Sequence, residues 1–88
     1  RFEARIAGQS IALTAIEFAL LNTLARHPGR IWSRDQLMDE IYNDHRVVSD
    51  RTIDSHIRKL RRKLSDGSPD AHDWIGSVYG VGYRLETP

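Results

Sequence analysis

The segment 50–64 carries the clearest alternation of hydrophobic and polar positions in the chain. Ile53, Ile57, Leu60 and Leu64 recur at the i, i+4, i+7, i+11 spacing of one face of an α-helix. At 100° per residue these four side chains form one narrow stripe, so the pattern predicts a helix that packs on a core through that stripe. The opposite side is mostly cationic: Arg51, Ser55, Arg58 and Arg62, with Lys59 close by.

The first thirteen residues predict two short antiparallel strands. Phe2, Ala4 and Ile6 alternate with polar residues, as in a half-buried strand. Gly8-Gln9 supplies a turn, and Ser10–Leu13 forms the second, antiparallel strand. A lone hairpin is marginal in water, so we expect a helix or further strands to cover it. Because the chain starts at an arginine on a strand, we also expect a fragment whose N-terminal sheet has lost members upstream.

Two helices with capping boxes follow the hairpin. Thr14 and Glu17 predict the start of the first helix, which the Pro28-Gly29 pair ends. Ser33 and Gln36 predict the start of the second in the same way. The apolar stripe of the first helix favours a scaffold role.

The last part of the chain predicts a β-hairpin. After a polar loop, residues 73–86 form two short apolar-polar runs around Gly80-Val81-Gly82, where we expect the glycines to supply positive φ. The segment Asn43–Ser49 is the turn between the second helix and the basic helix, which makes a helix-turn-helix. The predicted fold is therefore α+β: a winged helix-turn-helix with a sheet remnant (1–13), three helices (14–64) and a C-terminal wing (73–86) in one domain, 1–88.

Positive charge is concentrated on the predicted third helix. Residues 51–63 hold six Lys or Arg and one acid, Asp54, or +5, whereas the whole chain is only +1 and the rest sums to −4. Concentrated positive charge is the electrostatic pattern of a surface that meets a polyanion. A solvated helix face is the alternative, but such a face usually interleaves acids with bases. The chain has no cysteine and no apolar run of membrane length, which suits a cytoplasmic protein.

Enzymatic chemistry finds little support. Asp54, Ser55 and His56 are residue types of a hydrolase triad, but consecutive helical residues diverge by about 100°. The four histidines are scattered without metal-ligand spacing, and no glycine-rich loop precedes a helix. We expect no catalytic residue, no metal and no cofactor. A winged helix that binds an acidic protein remains open, whereas RNA is disfavoured because the major groove of duplex RNA is too narrow for a helix.

Three ordered motifs carry a resemblance to a known family. LTAIEFALLNTLARHPGRIWSRDQL, DRTIDSHIRKLRRKL and VYGVGYR resemble the DNA-binding effector domain of OmpR/PhoB-type response regulators, over nearly the whole chain. VVSDRTIDSHI and VYGVGYR are most similar to the BaeR-like regulators within it. The resemblance implies sequence-specific binding of double-stranded DNA and transcriptional regulation as the output domain of a bacterial two-component system. It also implies an N-terminal receiver domain that is phosphorylated by a sensor kinase, and binding in pairs to direct repeats.

The expected DNA contacts divide into base readers and phosphate contacts. The exposed N-terminal half of the basic helix offers Asp54, Ser55, Arg58 and Lys59 to bases, although Asp54 is better suited to orienting a neighbouring arginine. Phosphates suit Arg51, His56, Arg61 and Arg62. The resemblance supports Arg51, His56, Arg58, Lys59 and Arg61, whereas Arg62 follows from geometry alone. The remaining expected contacts are Thr52, Tyr42 at the end of the second helix, and Ser77, Tyr79, Tyr83 and Arg84 on the wing.

Two further expectations come from the resemblance. Many relatives carry arginine where Tyr79 stands, so an electrostatic contact of the wing with the minor groove is not implied here, and Arg84 is the candidate replacement. The loop Asn43–Ser49 corresponds to a family segment that meets RNA polymerase. A plain connector is the equally weighted alternative for this loop.

Overall fold

The computed structural model describes residues 2–41 and 50–87, and the side chains of residues 50–52 lie outside this description. Two antiparallel hairpins flank three helices, as the sequence predicts. The elements are β1 (Phe2–Ile6), β2 (Gln9–Leu13), α1 (Ala15–Arg26), α2 (Arg34–Ile41), α3 (Asp50–Asp66), β3 (Ile75–Val78) and β4 (Gly82–Leu85).

The N-terminal hairpin pairs β1 with β2 in the register Ala4 to Ile11. Its turn lies at Ala7-Gly8, one residue before the predicted Gly8-Gln9, because these are the two residues with positive φ (50° and 84°). Two consecutive positive φ values match the right-handed twist of a tight hairpin. Helix α1 covers the hairpin, and the rings of Phe2 and Phe18 lie 5.1 Å apart.

Both predicted capping boxes are confirmed. The amide of Glu17 donates to the Thr14 hydroxyl at 3.1 Å, and the Thr14 amide donates to the Glu17 carboxylate at 2.9 Å. At the start of α2, the Gln36 amide donates to the Ser33 hydroxyl at 3.1 Å and the Ser33 amide to the Gln36 side chain at 2.9 Å. Each box satisfies amides that the first helical turn leaves without partners.

Helix α3 presents its predicted apolar stripe to the core and runs two residues past the predicted end. It packs on both α1 and α2, and with α2 it forms the two helices of the helix-turn-helix. No helix in the described ranges is long and apolar enough to cross a membrane. The buried hydrophobic core comprises Leu13, Leu20, Leu24, Trp32, Leu37, Ile53, Ile57, Leu60, Leu64, Ile75, Tyr83 and Leu85.

A single β-bridge joins the C-terminal hairpin to the segment between α1 and α2. Trp32 and Tyr83 exchange two backbone hydrogen bonds, at 2.7 and 2.9 Å. Gly80 has the expected positive φ of 74°, but the prediction was wrong for the other glycine. A Cβ on Gly82 would lie 1.9 Å from the Trp32 carbonyl oxygen, so Gly82 is required for close approach of the two backbones.

Candidate nucleic-acid interface

The side of α3 that faces away from the core is cationic and open. Ser55, Arg58, Lys59 and Arg62 are all exposed, and we call them the outer face of α3. Within the described ranges, no hydrogen bond or ion pair engages these four side chains. The charges of Arg58, Lys59 and Arg62 are therefore available to a partner. Arg51 and Thr52 belong to the same helix, with side chains outside the described residues.

Two other cations of the helix have partners inside the fold. The Arg61 Nε donates to the Ile75 carbonyl at 3.0 Å, its Nη2 donates to the Ser77 hydroxyl at 2.8 Å, and Asp73 lies 3.5 Å away. The Lys63 Nζ lies 2.6 Å from the buried Glu17 carboxylate. Sequence reasoning counted both among the positive charges of the helix, but only the tertiary structure shows that they are paired.

Asp54 joins three elements. Its Oδ1 accepts from the Arg34 Nε at 2.8 Å and from the Tyr83 hydroxyl at 2.5 Å. These hydrogen bonds, from Arg34 first and Tyr83 second, hold the pKa of Asp54 below its ordinary value of 3.8. Asp54 thus pairs with an arginine, one of its two predicted roles. Burial and the bond to Asp54 raise the pKa of Tyr83 above 10.0, so the hydroxyl stays a donor at neutral pH.

The four predicted wing residues differ in environment. Tyr79 projects from the tip with 102% relative exposure, and Ser77 is also exposed. Tyr83 is only 9% exposed. Arg84 is half-buried and its Nε donates to Glu86 at 3.0 Å. The wing therefore exposes the aromatic side chain of Tyr79 at its tip. Tyr83 is buried, and Arg84 is bonded to Glu86.

Arg34 is a candidate that sequence reasoning missed. It is the first residue of α2 and lies beside a groove of about 370 Å³ whose lining includes Ser77, Tyr79, Gly80 and Tyr83. Its Nε donates to Asp54, and a guanidinium carries further N–H donors on its two terminal nitrogens. The capping box at Ser33 could have indicated its position, but not its partner twenty residues away.

The other predicted site residues lie on the flank of α3 or outside the described residues. His56 is half-buried on α3, on the flank opposite Asp54. Tyr42 and the loop 43–49 lie outside the described residues. Asp54, Ser55 and His56 show no hydrogen bond to one another, and no group of three or more potential metal ligands occurs in the described ranges.

A basic helix on a helical scaffold beside a hairpin wing defines the class of winged helix-turn-helix domains. Comparison with known proteins then identifies the family. The family described as "Transcriptional regulatory protein, C terminal" matches residues 8–85, and the chain belongs to it. The resemblance to OmpR/PhoB-type regulators is confirmed.

Individual relatives agree with this assignment. The chain is 55% identical over 87 residues to the transcriptional regulatory protein BaeR of Escherichia coli O6:H1, covering 98% of this chain and 35% of BaeR. The chain thus spans only about a third of that relative. The solved DNA-binding domain of CpxR from E. coli matches with a TM-score of 0.76 and 42% identity, covering 94% of this chain and 80% of that one. The response regulator AdeR DNA-binding domain, solved in complex with an intercistronic region, matches with a TM-score of 0.75 and 31% identity, covering 90% and 76%.

Proposed function

We propose that this chain binds double-stranded DNA sequence-specifically and regulates transcription as the output domain of a two-component response regulator. The observation that carries the proposal is the outer face of α3, whose three cations have no partner within the described residues. The family assignment supports it, as does the likeness to AdeR, which was solved with DNA. An α-helix fits the major groove, where each base pair shows a distinct pattern of donors and acceptors.

The proposed readers of bases are Ser55, Arg58 and Lys59. The two cations have the length to reach guanine O6 and N7, whereas the short serine permits close approach. Asp54 serves chiefly to orient Arg34, since its Oδ1 is already bonded to Arg34 and Tyr83.

The proposed phosphate contacts hold the domain on the duplex without reading sequence. Arg62 is exposed and has no hydrogen bond or ion pair to the part of the chain that the structure describes, which supports this role, and Arg34 adds a donor beside the wing. Tyr79 is the proposed contact at the wing tip, where its ring would meet the sugar-phosphate edge of the adjacent groove. The other proposed contacts are Tyr42, Arg51, Thr52, His56, Arg61, Ser77, Tyr83 and Arg84.

The wider setting of the domain is also a proposal. Residues 1–88 act as one effector domain of a longer cytoplasmic bacterial protein, whose receiver domain takes a phosphoryl group from a sensor kinase. One domain reads only a short half-site, so two copies bind direct repeats about one helical turn apart. The loop Asn43–Ser49 contacts RNA polymerase. Substituting His45 and Arg46 should then lower transcription without weakening DNA binding, whereas joint loss would make the loop a plain connector.

Two other functions have less support. A winged helix that binds an acidic protein would use the same cations, but the family assignment favours DNA. Catalysis has no support, because the family and its named relatives are transcriptional regulators. No catalytic or cofactor-binding residue is proposed.

In vitro selection from a random duplex library tests the proposal. We expect enrichment of a short motif, repeated at a spacing of about 10–11 base pairs if two copies bind together. A scrambled version of the selected duplex is the control. Failure to enrich any motif, with equal retention of the scrambled duplex, would refute sequence-specific binding.

A further inference from the structure

Two opposed residues of the wing have side-chain hydrogen bonds to α3. Ser77 of β3 and Tyr83 of β4 are directly opposite each other in the hairpin. Directly opposed residues of an antiparallel pair project their side chains to the same face. One further pair, Val78 and Gly82, separates them from the exposed tip.

Two residues of α3 hold this pair. Asp54 and Arg61 are seven positions apart, so they lie on the same flank of the helix, two turns or about 10 Å apart. The Tyr83 hydroxyl donates to the Asp54 Oδ1 at 2.5 Å. The Arg61 Nη2 donates to the Ser77 Oγ at 2.8 Å. We call these two hydrogen bonds the helix–wing links.

The helix–wing links lie between the core-anchored base of the wing and its exposed tip. The base of the hairpin is fixed by buried Ile75 and Leu85, and Tyr83 is itself buried and pairs through its backbone with Trp32. Residues 79–81 beyond the links are exposed, and each strand has only four residues. Among the described contacts, the helix–wing links are the side-chain bonds to α3 that lie nearest the tip.

We infer that Asp54, Arg61, Ser77 and Tyr83 are positioning residues, which hold the wing tip at a fixed distance from the outer face of α3. This inference deepens the proposed function and rests on it. Helix and wing can then meet adjacent parts of one duplex without ordering the wing at the moment of binding. A contact made by preorganised groups avoids that entropic cost. Positioning the tip is a role of Tyr83 separate from the direct contact proposed for it above, because its ring stays in the core.

The test is a double-mutant cycle between a link and the wing tip. Tyr83→Phe removes one hydroxyl and keeps the buried ring, and Tyr79→Ala with Val81→Ala removes the tip side chains. We expect Tyr83→Phe to weaken binding of the selected duplex about five-fold, the value of one net hydrogen bond. In the tip-deleted background the same substitution should change binding by less than about two-fold, because the wing contact is already lost.

Footprinting separates positioning from a general loss of structure. Tyr83→Phe should reduce hydroxyl-radical protection beside the major-groove site and leave protection of guanine N7 within it unchanged. Ser77→Ala, which breaks the other link without touching the core, should do the same. Ser10→Ala on the distant N-terminal hairpin is the matched control and should leave both patterns unchanged.

The outcomes distinguish this inference from the proposed function. If the unaltered chain protects no DNA, the proposed function fails. If the chain binds but Tyr83→Phe weakens binding equally with and without the tip side chains, or in neither background, the inference is overturned. Thermal unfolding of each variant shows whether it is folded. If Tyr83→Phe is unfolded, Ser77→Ala takes its place in the double-mutant cycle with the tip substitutions.

Discussion

The Nζ of Lys63 lies 2.6 Å from the Oε1 of Glu17, a carboxylate that is only 1% exposed. This ion pair joins the end of α3 to the first turn of α1, 46 positions apart. The same Oε1 accepts from the Thr14 amide of the capping box. Lys63 is thus the counter-charge of a buried acid, which distinguishes it from the free cations of the outer face.

Lys63→Met should destabilise the fold because it leaves Glu17 buried without a counter-charge. Breaking a fully buried pair costs about 3–5 kcal/mol, and since Lys63 is partly exposed we expect about 1–3 kcal/mol. Urea unfolding measures this change. Arg62→Met on the outer face is the control and should change the free energy of unfolding by less than about 0.5 kcal/mol. Equal stability of the two variants would contradict a structural role for Lys63.

Glu17 should also make stability depend on pH. Burial raises the pKa of Glu17, but hydrogen bonds from Lys63 and Thr14 outweigh it and hold the pKa below 4.5. A lowered pKa in the folded state contributes stability that is fully present above 4.5 and is lost as pH falls through the folded value. We expect the stability difference between the unaltered chain and Glu17→Gln to shrink as urea unfolding is repeated from pH 6 to pH 3. A constant difference would contradict the charged state of Glu17.

The local signals of the sequence were sufficient for the fold. Thr14, Ser33 and the stripe from Ile53 to Leu64 each depend on residues within a few turns of one another, and the structure confirms all three. The family motifs are local in the same sense. Helix order, caps and the wing therefore followed from the sequence.

Side-chain partners were not predictable, because they depend on packing between distant elements. Arg34 and Asp54 are twenty positions apart, and neither has a sequence pattern that names the other. The division of the five described cations of α3 into paired and unpaired depends on the same kind of contact. The need for glycine at position 82 was not predictable for the same reason. It comes from the close approach of the Trp32 backbone, fifty positions away.

Binding should weaken with salt in proportion to the number of phosphate contacts. Each contact contributes a slope of about −0.9 in a plot of log K against log salt concentration. With about four contacts we expect a slope of about −4. Lys63→Met, if folded, should leave the slope unchanged because Lys63 is paired with Glu17. Fluorescence anisotropy across a salt series measures both, and a slope near zero would contradict DNA binding.

Gly82→Ala should separate the wing from the Trp32 strand. The new Cβ would lie 1.9 Å from the Trp32 carbonyl oxygen, and backbone atoms cannot move aside as a side chain can. We expect a loss of about 3 kcal/mol in the free energy of unfolding. Val81→Ala, at an exposed neighbouring position, is the control and should change stability by less than about 0.5 kcal/mol. A stable Gly82→Ala variant would show that the short strand can shift.

Arg58 and Arg62 should differ in what they contribute to recognition. Both are exposed and unpaired within the described residues, so their stability effects should be equally small. Arg58 is the proposed base reader, and Arg58→Ala should lose about 1–3 kcal/mol on the selected duplex while relaxing the preference at one base pair. Arg62 is the proposed phosphate contact, and Arg62→Ala should weaken selected and scrambled duplexes alike and reduce the salt slope by about 1.

Each of these two variants is the control for the other, because they remove the same side chain from neighbouring turns of one face. Competition binding against single-base variants of the selected duplex gives the preference at every position. If Arg58→Ala and Arg62→Ala weaken all duplexes equally, the division of α3 into readers and phosphate contacts is wrong. If only Arg62→Ala relaxes a base preference, the C-terminal half of the helix reads the bases. The proposed role of the N-terminal half, where Ser55 and Arg58 are exposed, would then be wrong.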